Sequence, residues 1–161
     1  MADRSSASIV IGGNIPRSLI PKLVDAIDLD GGRADWEGEA VDDSFIVTGK
    51  LLEVFAYELP GGIFEATESF CQSRQLVFVR SSGSCAGAFG PERVVFTGSE
   101  PARHFELTEN DEVTLTRREF RELGSIEAVE RWYASAEFQP PPFSIVEDEE
   151  VQLASDDVGS S

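Results

Sequence analysis

The chain is short of histidine, cysteine, lysine and long apolar runs, and each shortage removes a class of function. It has one histidine, His104, and two cysteines, Cys71 and Cys85, too few and too scattered for a zinc site. The cysteines form neither a CxxC pair nor a secreted-type disulfide framework, so a reducing, cytoplasmic setting is expected. The apolar run Ile9–Ile11 near the polar N-terminus is far too short for a signal-peptide core or a membrane span. Lysine is confined to Lys22 and Lys50, a scarcity that fits a GC-rich genome or adaptation to salt, and the remaining bases are arginines.

What the chain has in abundance is acid. It carries 30 aspartates and glutamates against 13 lysines and arginines, a formal net charge of −17 on 161 residues, while 41% of the residues are hydrophobic. That composition predicts an ordinary globular core wrapped in an anionic surface. A chain of this length fits one domain and buries roughly two thirds of its unfolded surface without help from a metal or disulfide.

The acid is unevenly placed. Asp25, Asp28, Asp30, Asp35, Glu37, Glu39, Asp42 and Asp43 face a single base, Arg33, within residues 25–43. A second block, Glu147, Asp148, Glu149, Glu150, Asp156 and Asp157, has no base at all and reads as a disordered acidic tail over residues 147–161. With a flexible N-terminus over residues 1–6, this leaves one domain at residues 7–146.

Hydrophobic spacing predicts an α+β fold, a mixed or mostly antiparallel sheet covered by about three helices. Strands are expected at residues 7–11, 51–59, 76–80, 93–97, 105–108 and 112–116, the later ones as an antiparallel meander. A further β-rich stretch covers residues 45–48. Leu19, Ile20, Leu23, Val24 and Ile27 form one apolar face of a helix expected to start near Pro16, where a missing N–H costs little. Residues 63–74 make a second helix, with Glu65 and Glu68 in its early turns and Cys71 on its core side. A third helix, broken at Leu123-Gly124, is capped by Ser125 and carries an i, i+4 pair between Glu127 and Arg131. Pro140, Pro141 and Pro142 end it, and Phe143, Ile145 and Val146 are expected to fold back on the core.

The motifs that carry chemistry are weak. Gly12-Gly13-Asn14 between a strand and a helix has the outline of a phosphate-binding turn but lacks GxGxxG and the GK[ST] ending, and Pro16 removes a donor. Cys85, in the small-residue loop of residues 81–88, and His104 form a thiol–imidazole pair only if the fold brings them together. The aspartates of residues 28–43 lack the spacing of a calcium loop. No cofactor or metal is expected. Direct nucleic-acid binding conflicts with the net charge, and Arg117, Arg118 and Arg121 alternate with Glu119 and Glu122 as on a solvated helix face.

The expected function is therefore a non-enzymatic acidic interaction module. Its partner is expected to be a basic protein or complex that handles nucleic acid, contacted through the eight carboxylates of residues 25–43. Glu53, Glu58, Glu65 and Glu68 extend that face, and spaced carboxylates imitate backbone phosphates. In size and charge, though in no motif, the chain is similar to the small anti-restriction and anti-CRISPR proteins of phages and plasmids. The competing readings are a small enzyme built on Cys85 and His104, and a regulatory protein whose acidity serves solubility alone.

Overall fold

Strand β1 (Arg4–Gly12) shows why the sheet forms where it does. Ala7, Ile9 and Ile11 are buried while Ser8 and Val10 between them are half-buried, the two-residue period of a strand with one face on the core. β1 is the second strand of a five-stranded sheet ordered β3 (Leu52–Pro60), β1, β4 (Val77–Ser82), β5 (Glu92–Phe96), β6 (Arg103–Glu106), with every neighbouring pair antiparallel. This is a computed structural model describing residues 3–147. The acidic tail predicted at residues 147–161 lies outside the described residues except for Glu147.

The inner sheet face carries Ile9, Ile11, Val54, Phe78, Val94 and Phe96, all at most 5% exposed. Two helices cover it. α1 (Ile20–Leu29) contributes Ile20, Leu23 and Ile27, and α2 (Glu65–Arg74) contributes Cys71, with Phe64 just before it. Among the described residues a helix covers the outer face only at its β5–β6 end. There α4 (Ile126–Ala136) sets Trp132 and Ala136 against Val95 and Phe105, and the Trp132 and Phe105 rings meet edge-on at 5.3 Å. α3 (Arg117–Leu123) precedes α4, and Thr116 and Glu119 cap it reciprocally. The result is an α+β body whose sheet is fully antiparallel.

Several boundaries differ from the sequence reading for identifiable reasons. Arg4 and Ser5, expected to be flexible, pair with the end of β3, and a bulge separates them from Ala7. Pro16 does not open a helix. It ends β2 (Asn14–Pro16), which pairs in parallel with β7 (Ser144–Val146), and Pro21 takes the early helical position instead. The fold-back of Phe143 and Ile145 is thus a two-stranded ribbon, and Phe143 is 2% exposed. Gly12 permits it, because any Cβ there would overlap the Pro141 carbonyl. The β-rich stretch of residues 45–48 forms no strand and starts at the end of a 3-10 turn at Asp43–Phe45, and residues 112–116 offer only the Leu107–Val113 bridge. Ser125 caps α4 through the Ala128 amide as expected, but Glu127 and Arg131 form no ion pair.

Candidate functional site: an acid-rimmed groove on the sheet

No helix among the described residues reaches the outer face over β3 and β1. Its floor carries hydroxyls, since Ser8 and Ser81 face away from the core at this end of β1 and β4, with Ser6 at the bulge. None of these three hydroxyls has a hydrogen-bond partner among the described residues. One wall is aromatic. The loop after α1 is strapped to the β3 edge by two main-chain hydrogen bonds between Arg33 and Phe55, at 2.8 and 2.9 Å. It turns at Asp35, whose carboxylate accepts the Glu37 amide at 3.0 Å. Trp36, at that turn, lies over the outward side chains of β3, 4.9 Å from Phe55 and 5.0 Å from Tyr57 between ring centres. Trp36 remains 40% and Tyr57 59% exposed, which is unusual for rings already packed together.

The opposite wall is a tight turn after β6. Thr108 holds it by accepting the Asn110 and Glu112 amides at 3.2 Å, and Asp111 sits in the left-handed region at φ 64°. Glu109 and Asp111 project there. Arg93, beneath, donates to the Ala136 carbonyl at 3.0 Å and reaches one Asp111 oxygen at only 3.4 Å. The space between the walls is about 360 Å³, at the small end for a ligand site, and its lining includes two carboxylates and no lysine or arginine.

The eight carboxylates read as a partner surface do not behave alike. Asp25 and Asp28 are exposed on α1, on the other side of the sheet from the groove; Glu37, Glu39 and Asp43 are exposed in the loop. Asp30 is turned inward. Its carboxylate accepts the Ala66 and Thr67 amides and the Thr67 hydroxyl at 3.1, 2.8 and 2.7 Å, capping α2 from a distant segment. Asp35 closes its own turn, and Asp42 takes the Ser44 amide and hydroxyl, which hold its carboxyl below the usual range. Glu68, placed with the acidic face by sequence, is 5% exposed and pairs with Arg80.

Cys85 and His104 are not brought together. Cys85 closes a turn on Phe89 in the β4–β5 connection, whereas His104 sits opposite Val94 on β6 with Nδ1 committed to Glu92 at 3.0 Å. Cys71 is buried, and burial with Glu68 nearby pushes its thiol far up and out of the reactive range. Among the described residues no cluster of three or more His, Cys, Asp or Glu side chains could hold a metal, and no helix is long and apolar enough to cross a membrane.

Two features escaped the sequence reading. One is the groove itself, whose walls come from segments more than seventy residues apart. The other is Arg80, 1% exposed on the inner face, with Nε 2.9 Å from Glu68 as an ion pair and an amino group donating to the Ser82 hydroxyl at 3.0 Å. The Arg80 Nε–H itself is aimed at no acceptor among the described residues. No family model matches the chain, and no curated protein or solved structure gives a match either.

Proposed function

We propose that the protein is a non-enzymatic interaction module that docks by its acidic surface on a basic protein that handles nucleic acid, competing there with DNA or RNA. The observation that supports this reading is the convergence of acid from separate segments on one open half-face. Glu37 and Glu39 follow Trp36 in the same loop, Glu53 shares the outer face of β3 with Phe55 and Tyr57, and Glu109 and Asp111 line the far side. Such a surface attracts a basic partner at long range and loses that pull as salt rises. Asp30 and Glu68 take no part, since both serve the fold.

The test is capture from the source lysate at low salt, with partners identified by mass spectrometry. The expected result is a basic nucleic-acid-handling protein, released at high salt and displaced by added DNA or RNA. If nothing specific is retained, or if the retained protein keeps its grip with nucleic acid in excess, competition with nucleic acid is excluded.

A further inference from the structure

We propose that the groove between Trp36 and the Glu109–Asp111 turn is a receptor for a single arginine side chain on an exposed segment of the basic partner. This inference rests on the acidic-module reading and gives it a point of anchorage.

The chemistry of the lining selects the occupant. Its floor offers the hydroxyl oxygens of Ser6, Ser8 and Ser81, none of them engaged among the described residues. One wall offers both Glu109 oxygens and the Asp111 Oδ1, which accept nothing among the described residues. The other wall offers exposed ring surface. A guanidinium is a planar cation with five N–H donors and a face that stacks on aromatics. It satisfies acceptors on two sides while lying against Trp36. A lysine ammonium is a compact, strongly hydrated charge that stacks poorly, and it leaves part of the acceptor set unused. An anion is repelled by both carboxylates. A neutral sugar accounts for the ring and the hydroxyls but gives no role to the paired acids. Arg93 does not fill the site: it is held under the turn by the Ala136 carbonyl, and its contact with Asp111 is long.

The backbone that carries the acceptors is held in place. The serines stand on adjacent strands in register, Ser8 opposite Ser81, and the acidic turn is closed by Thr108. The ligand then orders side-chain rotamers but no backbone, which lets a small site contribute specificity.

The experiment titrates the chain with the capped peptide acetyl-Gly-Arg-Gly-Arg-Gly-amide and with its lysine counterpart. Trp36 fluorescence is read in a Trp132→Phe background, and the amide chemical shifts of Ser8 and Ser81 are read in the wild-type chain, which needs no variant to fold. The expected result is saturable, salt-sensitive binding that favours the arginine peptide and weakens about tenfold in Glu109→Gln/Asp111→Asn and again in Trp36→Ala. Asp25→Asn/Asp28→Asn removes the same charge from α1 and is expected to change the affinity less than about threefold. Equal losses in the groove and α1 variants overturn the arginine receptor while leaving the acidic-module reading intact, as does equal binding of the two peptides. Absence of saturable binding of either peptide overturns the arginine receptor, and the acidic-module reading falls with it only if lysate capture also retains nothing specific. Saturable binding of a neutral oligosaccharide without binding of the peptide overturns the choice of occupant.

Discussion

The two faces of the sheet handle polar groups in opposite ways. On the inner face Arg80 is sealed under α2 and surrounded by Glu68, Glu92 and Ser82, so that each charge exists only because its neighbours compensate it. On the outer face, over β3 and β1, hydroxyls, carboxylates and rings stand open with almost no protein partner. The difference separates groups that the fold requires from groups it merely carries. Substitutions on the inner face should therefore show in stability, and substitutions in the groove should show in binding.

The largest expected effect is Arg80→Ala. It strands Glu68 as a buried charge, and breaking a buried pair from one side costs about 3–5 kcal/mol, read as a lower urea midpoint. Arg80→Met with Glu68→Gln should recover much of that loss, since an apolar replacement of the pair carries no orphaned charge. If the double variant is no better than the single, the guanidinium is needed for packing rather than for neutralisation.

Asp30→Ala comes next. A cap that accepts two amides and a hydroxyl from α2 is worth about 1–2 kcal/mol, lost as a lower thermal midpoint. Asp28→Ala, two residues earlier but exposed, should fall within about 0.5 kcal/mol of wild type. Equal effects would mean that Asp30 acts only through bulk charge.

The inner face also has a pH signature. Burial pushes the Glu68 carboxyl above its ordinary range, with the Arg80 guanidinium and the Phe64 amide pulling it back down. A carboxyl raised in the folded state favours folding when protonated. Its contribution is complete below the unfolded value of 4.5 and is lost as pH rises through the raised folded value. The stability of wild type relative to Glu68→Gln should therefore decline from about pH 4 to pH 7 in urea melts. Glu147 has the opposite sign. Its two hydrogen bonds from Arg17 Nε, at 2.8 and 3.0 Å, lower its carboxyl, so what it contributes is present above pH 4.5 and lost on acidification. A rising difference at Glu68 would show that the pairing with Arg80 outweighs burial.

What the sequence made legible was what periodicity encodes. The apolar faces of α1 and α2, the cap at Ser125 and the return of Phe143 and Ile145 follow from spacing that any three- or four-residue window shows. Pro16 misled because proline suits both an early helical position and the end of a short edge strand, and Pro21 competed for the same role. Arg80 closes a run of apolar residues and reads as the polar end of a strand, since nothing local announces Glu68 across the core. The acids of residues 25–43 looked uniform because charge counting cannot see that Asp30 points at the start of α2. The groove was invisible for the same reason: Trp36, Ser8, Ser81 and Asp111 become neighbours only through strand order and loop packing.

The smallest expected stability effect sharpens the comparison most. Glu109→Gln with Asp111→Asn removes two exposed acids from a body of net charge −17, and asparagine tolerates the positive φ of Asp111. Relief of self-repulsion should offset the weak contact with Arg93, leaving the unfolding free energy unchanged or raised by about 0.3 kcal/mol at low salt and closer to wild type at high salt. A loss above about 1 kcal/mol would instead make the turn a structural element like the Arg80 cluster, because surface groups without a structural partner rarely cost that much. Retained or increased stability together with weaker binding of arginine is the pattern expected of acids that the fold tolerates and a partner uses.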